Sequence, residues 1–299
     1  MEVKRLERIL YHMEVDGHLL EYSVVGTGTP ILLFHGGHSN CREELGYERL
    51  VKSGFSIITP SRPGYGATSK ELGETLELAS RRYGKMLDQL HIKKVHIIAV
   101  SAGGPSGISF ASMYPDRTNS LILQSAITKE WLSKRSLNYK LAKLAFHPLT
   151  EKWTWKLVAH LSNHYVQFMF KQFVPSFSKL SVEEVMKEMK DSDLEAFQRM
   201  NNRYRSGEGF ILDLQHTSKG FNHLLTTVQS PTLILHSLND QAVSLEHAHH
   251  AKKSIPTSTL CLLDNWGHLL WIGKDAEDIH NQVEVFMKKH DLVNGHVTL

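Results

Sequence analysis

The fold is decided by one stretch of the chain, Lys94-Val95-His96-Ile97-Ile98-Ala99-Val100-Ser101-Ala102-Gly103-Gly104-Pro105. The run 95–100 is almost entirely apolar, which predicts a buried strand, and the pattern over 106–114 predicts a helix. A strand, a sharp turn and a helix in this order push the hydroxyl of Ser101 out at the carboxyl edge of a sheet, beside helix N–H groups that favour negative charge. The alternative is an ordinary strand-to-helix turn with a serine cap.

The composition is that of an ordinary globular protein. The chain has 299 residues, 41% hydrophobic and 22% charged, and its net charge of +3 does not favour nucleic acid as a partner. Cys41 and Cys261 lie far apart without metal-like spacing, which predicts free thiols. The charged N-terminus lacks the apolar segment of a secretory signal, and no apolar run has the length of a membrane span. We therefore expect a cytoplasmic protein.

Outside the middle of the chain, strand and helix patterns alternate. The first two strands, 9–15 and 18–25, are joined by Asp16-Gly17, a strong hairpin signal. Helical spacing of apolar residues then recurs between later strands. This alternation predicts a mostly parallel sheet with helices on both faces. The further predicted strands are 31–34, 56–59, 121–123, 231–236 and 258–263.

The alternation breaks over 127–227, where the pattern is helical and rich in aromatic residues. The sequence therefore predicts three segments: a first part of the core over 1–126, an inserted helical domain over 127–227 and a second part of the core over 228–299. Residues 127–179 of the insert contain 9 Lys/Arg and 2 Asp/Glu, interleaved with Trp and Phe. Peripheral contact with an anionic membrane is one interpretation of this pattern. A solvated helical face is the interpretation we prefer.

Three residues of complementary chemistry each stand just after a predicted parallel strand. They are Ser101, Asp240 and His268, and parallel sheets place their sites at this edge. A serine hydroxyl needs a base to remove its proton, imidazole serves near neutral pH, and a carboxylate fixes the imidazole tautomer. The sequence thus indicates a Ser-His-Asp triad. Asp264 is a rival for the acid, but its place so near His268 in sequence disfavours it.

With these motifs the chain resembles the α/β-hydrolase superfamily, over about 9–126 and 228–290. The resemblance implies an α/β fold with a mostly parallel eight-stranded sheet and with the insert as a helical cap over the site. It also implies that the backbone N–H groups of Gly37 and Ala102 form the oxyanion hole. Besides the triad, the matching motifs are His35-Gly36-Gly37, Arg62-Pro63-Gly64-Tyr65-Gly66, Gly104-Pro105, Tyr114-Pro115-Asp116-Arg117 and Trp266-Gly267-His268.

The chain departs from the superfamily pattern at two positions. Ala99 stands where glycine is commonest before the nucleophile, and alanine is small enough to be tolerated. Ser61 stands where the motif after the fourth strand usually begins with aspartate. We expect that position to support its loop, so neither departure changes the predicted reaction class.

The predicted function is that of a serine hydrolase acting on a small or medium acyl ester. The partner is a small-molecule acyl substrate, and no metal and no organic cofactor is implied. Amide cleavage, carbon–carbon bond hydrolysis and perhydrolysis use the same triad and stay open. So do a peripheral lipid hydrolase and a ligand-binding or signalling protein with slow turnover. The sequence does not predict the oligomeric state.

Other histidines and tryptophans allow further interpretations. We expect His35 to support the loop beside the oxyanion hole, while His38 and Trp266 are candidate substrate-binding residues. The segment 246–250, Glu-His-Ala-His-His, resembles a metal patch on paper. On a helix only two of its imidazoles share a face, so we prefer a solvated surface to a metal site.

Overall fold

The core of the molecule is an eight-stranded sheet. The computed structural model describes residues 7–132 and 137–291. The strands are β1 (Arg8–Val15), β2 (His18–Val25), β3 (Thr29–Phe34), β4 (Phe55–Pro60), β5 (Val95–Val100), β6 (Thr118–Gln124), β7 (Thr232–Ser237) and β8 (Ser258–Leu263).

The strands lie in the spatial order β1-β2-β4-β3-β5-β6-β7-β8. β1 pairs antiparallel with β2 and β2 antiparallel with β4, whereas every other neighbouring pair is parallel. The turn between β1 and β2 has positive φ at Asp16 (51°) and Gly17 (78°), as a two-residue hairpin with the sheet's twist requires. The predicted mostly parallel eight-stranded sheet is confirmed.

Twelve helices are described around this sheet. They are α1 (Glu48–Lys52), α2 (Leu76–Gln89), α3 (Gly104–Met113), α4 (Leu137–Ala145), α5 (Glu151–His164), α6 (Val166–Phe177), α7 (Val182–Glu188), α8 (Asp191–Arg203), α9 (Gly209–Lys219), α10 (Asn222–Leu225), α11 (Glu246–Ser254) and α12 (Ala276–Lys289). Short 3-10 turns cover Lys70–Gly73, Ser101–Gly103 and Pro115–Arg117.

Helices cover both faces of the sheet because successive strand residues point to opposite sides. On β5, Ile97 and Ala99 pack into the layer formed with α2, α3, α10 and α11. Ile98 and Val100 pack into the opposite layer with α1 and α12. Because the central strands are buried on both faces, their sequences are continuous apolar runs. The carboxyl ends of the parallel strands lie at one edge of the sheet.

The stretch between β6 and β7 is helical, as the sequence predicts. Its helices α6, α7 and α8 bury their own apolar cluster, and this cluster continues into the loop after β8 through Trp266, Leu269 and Ile272. The last helix of the stretch, α10, packs instead with the sheet through Leu224 and Leu225. In the described part of the chain, no helix is both long enough and apolar enough to cross a membrane.

Candidate active site

Ser101 lies directly after β5, in a backbone conformation that non-glycine residues rarely adopt. Its φ is 50°, and the next residues turn into α3 at once. Gly103 and Gly104, which follow the serine, must be glycines because backbone oxygens of other segments lie too close to admit a side chain. A Cβ on Gly103 would lie 2.4 Å from the carbonyl oxygen of Phe34, and one on Gly104 would lie 2.3 Å from that of Ile127. The turn therefore holds the serine hydroxyl out at the edge, as the sequence predicts.

The alanine that replaces a commoner glycine at position 99 has its own compensation. Ala99 is fully buried in the helical layer behind the sheet. A Cβ on Gly107 of α3 would come within 2.5 Å of the Ala99 methyl. The missing side chain at 107 thus provides the space that the extra methyl at 99 occupies, and α3 keeps its place behind the turn.

The second departure is compensated by a residue from another strand. Ser61 donates a hydrogen bond to Oε2 of Glu21 on β2 (2.7 Å) and accepts one from the N–H of Cys41 (2.9 Å). The same Glu21 oxygen accepts the N–H of Ala67 (3.0 Å), so the carboxylate is bound by two groups of the loop after β4. Glu21 thus supplies a buried carboxylate beside the place where the superfamily usually has aspartate.

The imidazole of His268 lies between a hydroxyl and a carboxylate. Its Nε2 is 3.0 Å from Oγ of Ser101, and its Nδ1 is 2.8 Å from Oδ2 of Asp240. Since an ionised carboxylate only accepts hydrogen bonds, Nδ1 carries the proton and Nε2 is left to accept the serine hydroxyl. The structure therefore brings the three predicted triad residues together in the order that proton transfer needs.

Asp240 is completely buried, and both of its carboxylate oxygens accept hydrogen bonds. Oδ1 accepts the N–H groups of Ala242 and Val243, both at 2.9 Å, while Oδ2 faces His268. Burial by itself would raise the pKa of Asp240, but His268 and these hydrogen bonds together lower it below its ordinary value. The carboxylate is therefore ionised at neutral pH. Asp264, the rival acid, instead accepts a bond from Asn239 at 3.4 Å.

The two residues predicted to form the oxyanion hole are neighbours in space. A Cβ on Gly37 would lie 3.7 Å from the Cβ of Ala102, and one on Gly36 would lie 3.4 Å from the Cβ of Ser101. Among the hydrogen bonds of the described residues, none is donated by the backbone N–H of Gly37. An unpaired N–H beside the nucleophile is what an oxyanion site requires.

A buried ion pair fixes the loop that carries these glycines. Arg62 donates to the carbonyl oxygens of His35 (2.9 Å) and Gly36 (3.1 Å) and to Oδ2 of Asp213 on α9 (2.9 Å). His35 accepts the Arg62 N–H at Nε2 (3.0 Å), and burial together with the Arg62 charge holds the pKa of His35 well below its usual range. His35 is thus a neutral loop support, as expected.

His38 lies in an aromatic enclosure formed by residues of the inserted helices. Its ring centroid is 4.2 Å from those of Phe146 and Phe210 and 5.1 Å from that of Trp155. Burial, and secondarily the charge of Arg62, lowers the pKa of His38 to about 3. The imidazole is therefore neutral over the physiological range.

Ser206 is the hydrogen-bond partner of the His38 ring. Ser206 accepts a hydrogen bond from Nε1 of Trp155 (2.8 Å), and its Oγ is 2.7 Å from Nδ1 of His38. Because Trp155 only donates, the Ser206 proton is free to go to Nδ1. When Ser206 donates to Nδ1, the proton of the neutral ring is on Nε2.

Trp266 is not positioned to contact a substrate. Its ring is 1% exposed, packs against Phe170 with centroids 5.7 Å apart, and donates Nε1–H to the carbonyl of Ile272 (2.7 Å). The tryptophan belongs to the cluster that joins the inserted helices to the loop after β8. We therefore remove Trp266 from the predicted substrate-binding residues, since its surface is fully used by packing.

Helix α11 is rich in histidine, but not every one of its histidines faces solvent. His247 is 3% exposed, accepts the N–H of Thr128 at Nδ1 (3.1 Å), and its carbonyl accepts the Thr128 hydroxyl (2.7 Å). The solvated interpretation was thus wrong for this residue, which links α11 to the chain after β6. Among the described residues no group of three or more His, Cys, Asp or Glu is placed to hold a metal ion.

One segment that positions the acid and the base could not be predicted from the sequence. At the end of α6, the carbonyl of Phe177 accepts the N–H of His268 (2.9 Å), and Ser178 forms an antiparallel bridge with Asp240. A Cβ on Gly267 would lie 2.4 Å from that Phe177 oxygen, so only glycine allows this approach. The glycine before the histidine was the available signal, but nothing in the sequence named its partner.

Apolar side chains border the oxyanion residues on the other side. Ala102 packs with Ile127 and Val243, and Trp131 packs against this group. Trp131 also lies edge-on to Phe210, with ring centroids 6.2 Å apart. From the many aromatic residues of the insert, the structure thus selects these two as neighbours of the site.

A separate groove of about 370 Å³ opens at the surface beside α9. None of the three triad residues lines it. Its lining is formed by Lys70, Glu74, Lys143, His147, Pro148, Glu208, Ile211, Leu212 and Gln215.

Fold and site together define a hydrolase of the α/β class, with a serine on the turn after a central strand. Comparison with known families agrees, since residues 29–275 match the model described as the alpha/beta hydrolase fold. The chain belongs to this family.

Individual relatives are hydrolases as well. The chain is 53% identical over 275 residues to the uncharacterized hydrolase YcgS of Bacillus subtilis (strain 168), covering 92% of this chain and 95% of that protein. It is 26% identical over 265 residues to the 2-hydroxy-6-oxononadienedioate/2-hydroxy-6-oxononatrienedioate hydrolase of Escherichia coli O81 (strain ED1a), covering 85% and 84% of the two chains.

Among solved structures, an alpha/beta hydrolase fold protein from Nakamurella multipartita superposes with a TM-score of 0.79 at 22% identity. The match covers 94% of this chain and 99% of that one, which extends the likeness in fold to the inserted helices.

Proposed function

We propose that the protein is a serine hydrolase that cleaves a small or medium, uncharged acyl ester through an acyl-enzyme. The observation that carries the proposal is the continuous line of hydrogen bonds from Ser101 through His268 to Asp240, at 3.0 and 2.8 Å. Ser101 is the nucleophile, His268 the general base and Asp240 the residue that fixes the imidazole tautomer.

The first half of the reaction forms the acyl-enzyme. His268 takes the hydroxyl proton of Ser101 at Nε2 while Oγ attacks the ester carbonyl carbon. The oxygen of the tetrahedral intermediate receives hydrogen bonds from the N–H groups of Gly37 and Ala102. The imidazolium, stabilised by the ionised Asp240, then gives its proton to the departing alkoxide, and the alcohol leaves.

The second half repeats these steps with water. His268 removes a proton from a water molecule, the hydroxide attacks the acyl carbon, and the oxyanion is held by the same two N–H groups. The proton returns to Oγ of Ser101 as the carboxylic acid leaves. No residue needs to change its place between the two halves, because the tautomer set by Asp240 is restored each time.

The surroundings of the site favour an uncharged acyl group. Trp131, Phe210 and Val243 border the oxyanion residues, and His38 is neutral. The buried cation nearby, Arg62, already has Asp213 and two carbonyls as partners. An apolar acyl chain can pack against these side chains, whereas a carboxylate on the substrate would find no unpaired cation among these neighbours.

The lack of an unpaired cation among these neighbours distinguishes the proposed ester from the substrate of one relative. The Escherichia coli relative is named as a hydrolase of a dienedioate, a dicarboxylate whose name contains no ester, so that the bond to be hydrolysed is a carbon–carbon bond. A dicarboxylate in this site would need partners for its carboxylates when they leave water. The described surroundings of Ser101 supply no unpaired cation, so we favour the ester.

The experiment is hydrolysis of p-nitrophenyl esters over a series of acyl lengths, with wild type beside Ser101→Ala. We expect turnover with one optimum of chain length and a loss in the variant of about 10⁴-fold or more. Labelling with a fluorophosphonate, which reports an activated serine, should disappear in the variant as well.

Two results would redirect the proposal. If wild type turns over no ester above the variant but cleaves a 2-hydroxy-6-oxo-dienoate, the carbon–carbon reaction replaces the ester. If wild type is labelled at Ser101, yet retains a ligand without turnover, the protein is a binding module with a vestigial site. An unchanged Tm in Ser101→Ala ensures that the comparison concerns folded protein.

A further inference from the structure

Exposed apolar side chains are concentrated on one part of the inserted helices. Of thirteen large hydrophobic residues that are exposed in the described chain, seven lie between positions 141 and 168. Isolated exposed hydrophobic residues need no explanation, but a group of this size in so short a stretch does. We call this group the α4–α6 surface, and its members are Leu141, Leu144, Leu149, Trp153, Leu157, Tyr165 and Phe168.

Helix α5 forms the centre of the α4–α6 surface and is held from its other side. Trp153 and Leu157, four residues apart, are 71% and 59% exposed. On the opposite face, Trp155 is buried and bonded to Ser206, and Ser162 accepts a hydrogen bond from Asn201 (2.9 Å). The orientation of α5 is thus fixed by buried contacts, and its outward apolar stripe is a property of the folded chain.

The chain segment that carries the α4–α6 surface exposes charge of a single sign. Residues 137–179 contain six lysines and one carboxylate, Glu151. That carboxylate is 2% exposed and is held by Arg205 (2.7 Å) and the N–H of Ser206 (2.9 Å). Burial alone would raise the pKa of Glu151, but these hydrogen bonds lower it, so the group is ionised and fully used. The exposed charge is therefore positive.

Four lysines of this surface have no ion-pair partner among the residues that the structure describes. Among the ion pairs of the described residues, none includes Lys140, Lys143, Lys152 or Lys156. Lys156 instead lies over the ring of Trp153, with Nζ 5.2 Å from the centroid. Long basic side chains beside exposed Trp and Leu are typical of helices that lie in a membrane interface.

We propose that the α4–α6 surface binds the anionic face of a phospholipid bilayer. Trp153 and Leu157 enter the level of the headgroups, and the flanking lysines contact lipid phosphates. Two copies of the chain paired through this surface would set lysine against lysine, which opposes self-association as the reason for the exposed residues. A bilayer supplies both the apolar layer and the negative charge. Binding does not depend on the proposed reaction, because Ser101 is not part of the surface.

The test is cosedimentation of the full chain with vesicles of phosphatidylcholine alone and of phosphatidylcholine mixed with phosphatidylglycerol. We expect binding to the anionic vesicles, weak binding to the neutral ones, and release by added salt. Lys152→Glu/Lys156→Glu should weaken the binding by at least about tenfold. Trp153→Ser/Leu157→Ser should weaken it at every salt concentration, since the apolar contribution is not screened.

The matched control is Lys93→Glu/Lys94→Glu, which makes the same change of charge before β5, at the amino edge of the sheet. It should bind as wild type does, and so should Ser101→Ala. Equal binding by the α5 variants and the control would overturn the proposal, as would equal binding to neutral and anionic vesicles or none to either. A wild-type dimer that Trp153→Ser/Leu157→Ser converts to monomers would assign the surface to a second copy instead.

Discussion

The sheet edge and the inserted helices contribute to the same site in different ways. At the edge, Ser101, Asp240 and His268 each follow a strand, so the backbone of the sheet fixes where they meet. The insert adds side-chain and carbonyl contacts instead, at Asp213 and Phe177. The chemistry is thus set by the topology of the core, whereas the enclosure depends on packing between helices.

This division predicts what a substitution in each region should change. A change at the edge alters proton transfer and leaves the fold intact. A change where the insert meets the core alters stability, or the shape of the enclosure, before it alters the chemistry. Each of the following variants tests one side of this division.

The largest effect is expected for Asp240→Asn, which keeps the shape of the side chain but alters the imidazole. The amide oxygen would replace Oδ1, which accepts the N–H groups of Ala242 and Val243. The NH₂ group would then face Nδ1 of His268 and drive its proton to Nε2, where it blocks Ser101. We expect kcat/KM for an ester to fall by about 10⁴-fold with little change in Tm.

Asp264→Asn is the matched control, because it makes the same exchange in the exposed rival for the acid. Its esterase activity should stay near that of wild type. A large loss in Asp264→Asn together with a small one in Asp240→Asn would assign the acid to position 264.

The next effect is on stability and concerns the ion pair between core and insert. Asp213→Asn would leave the guanidinium of Arg62 buried without its counter-charge. Breaking a buried pair by removing one partner costs about 3–5 kcal/mol. The variant should therefore unfold at markedly lower urea concentration, and the loop of Gly36 and Gly37, held by Arg62, should become less ordered.

An exposed ion pair provides the control for Asp213→Asn. Asp88 bonds to Arg117 at 2.7 Å with its side chain 66% exposed. Asp88→Asn should cost no more than about 1 kcal/mol, because water screens the pair. Equal destabilisation by the two substitutions would mean that the Arg62 pair is not an essential link between insert and core.

The sequence was sufficient for the features that depend on backbone periodicity and local turns. β2 and β8 have the predicted bounds, and the hairpin at Asp16 and the turn after β5 form as expected. Apolar runs and glycines determine these elements locally. The proximity of Ser101, Asp240 and His268 followed from the rule that parallel strands end at one edge. The assignment of their roles stays a prediction.

What the sequence did not predict depends on contacts between distant segments. Glu21 lies forty positions from Ser61, and no local pattern links the two. The hydrogen bond from the N–H of His268 to the carbonyl of Phe177 likewise joins two segments that are distant in sequence. Trp266 was misplaced for a related reason, since an aromatic residue beside a catalytic histidine can face either the substrate or the core. Only the packing of α6 and α8 decides this.

Trp266→Phe tests that corrected placement. The smaller ring would leave a cavity beside Phe170 and an unpaired carbonyl at Ile272, which should cost about 1–3 kcal/mol. kcat and KM should change little, since the ring does not reach the site. Trp153→Phe, in an exposed tryptophan of α5, is the control and should leave stability unchanged. A raised KM with normal stability in Trp266→Phe would restore the residue to the substrate-binding set.

An effect on activity far smaller than that of Asp240→Asn is expected at His38, where asparagine tests whether the insert shapes the site through this ring. His38 has φ of 60°, a conformation that asparagine tolerates better than most residues, so His38→Asn should fold. The variant loses the ring that packs between Phe146 and Phe210. We expect kcat/KM to fall by roughly tenfold, mainly through KM, because the acyl group is held less closely.

The same variant has a second readout in the pH dependence of stability. The pKa of His38 is about 3 in the folded chain against 6.5 for an ordinary histidine. Below about pH 6.5 the unfolded chain therefore takes up a proton that the folded chain refuses, and His38 lowers stability progressively as the pH falls toward 3. Above about pH 6.5 His38 is neutral in both the folded and the unfolded chain, so it does not change stability with pH. The Tm of His38→Asn should consequently fall less on acidification than that of wild type, whereas His249→Gln, an exposed control on α11, should follow wild type. Identical pH profiles for His38→Asn and wild type would show that water reaches the His38 ring. The aromatic residues around the ring would then not exclude solvent from it.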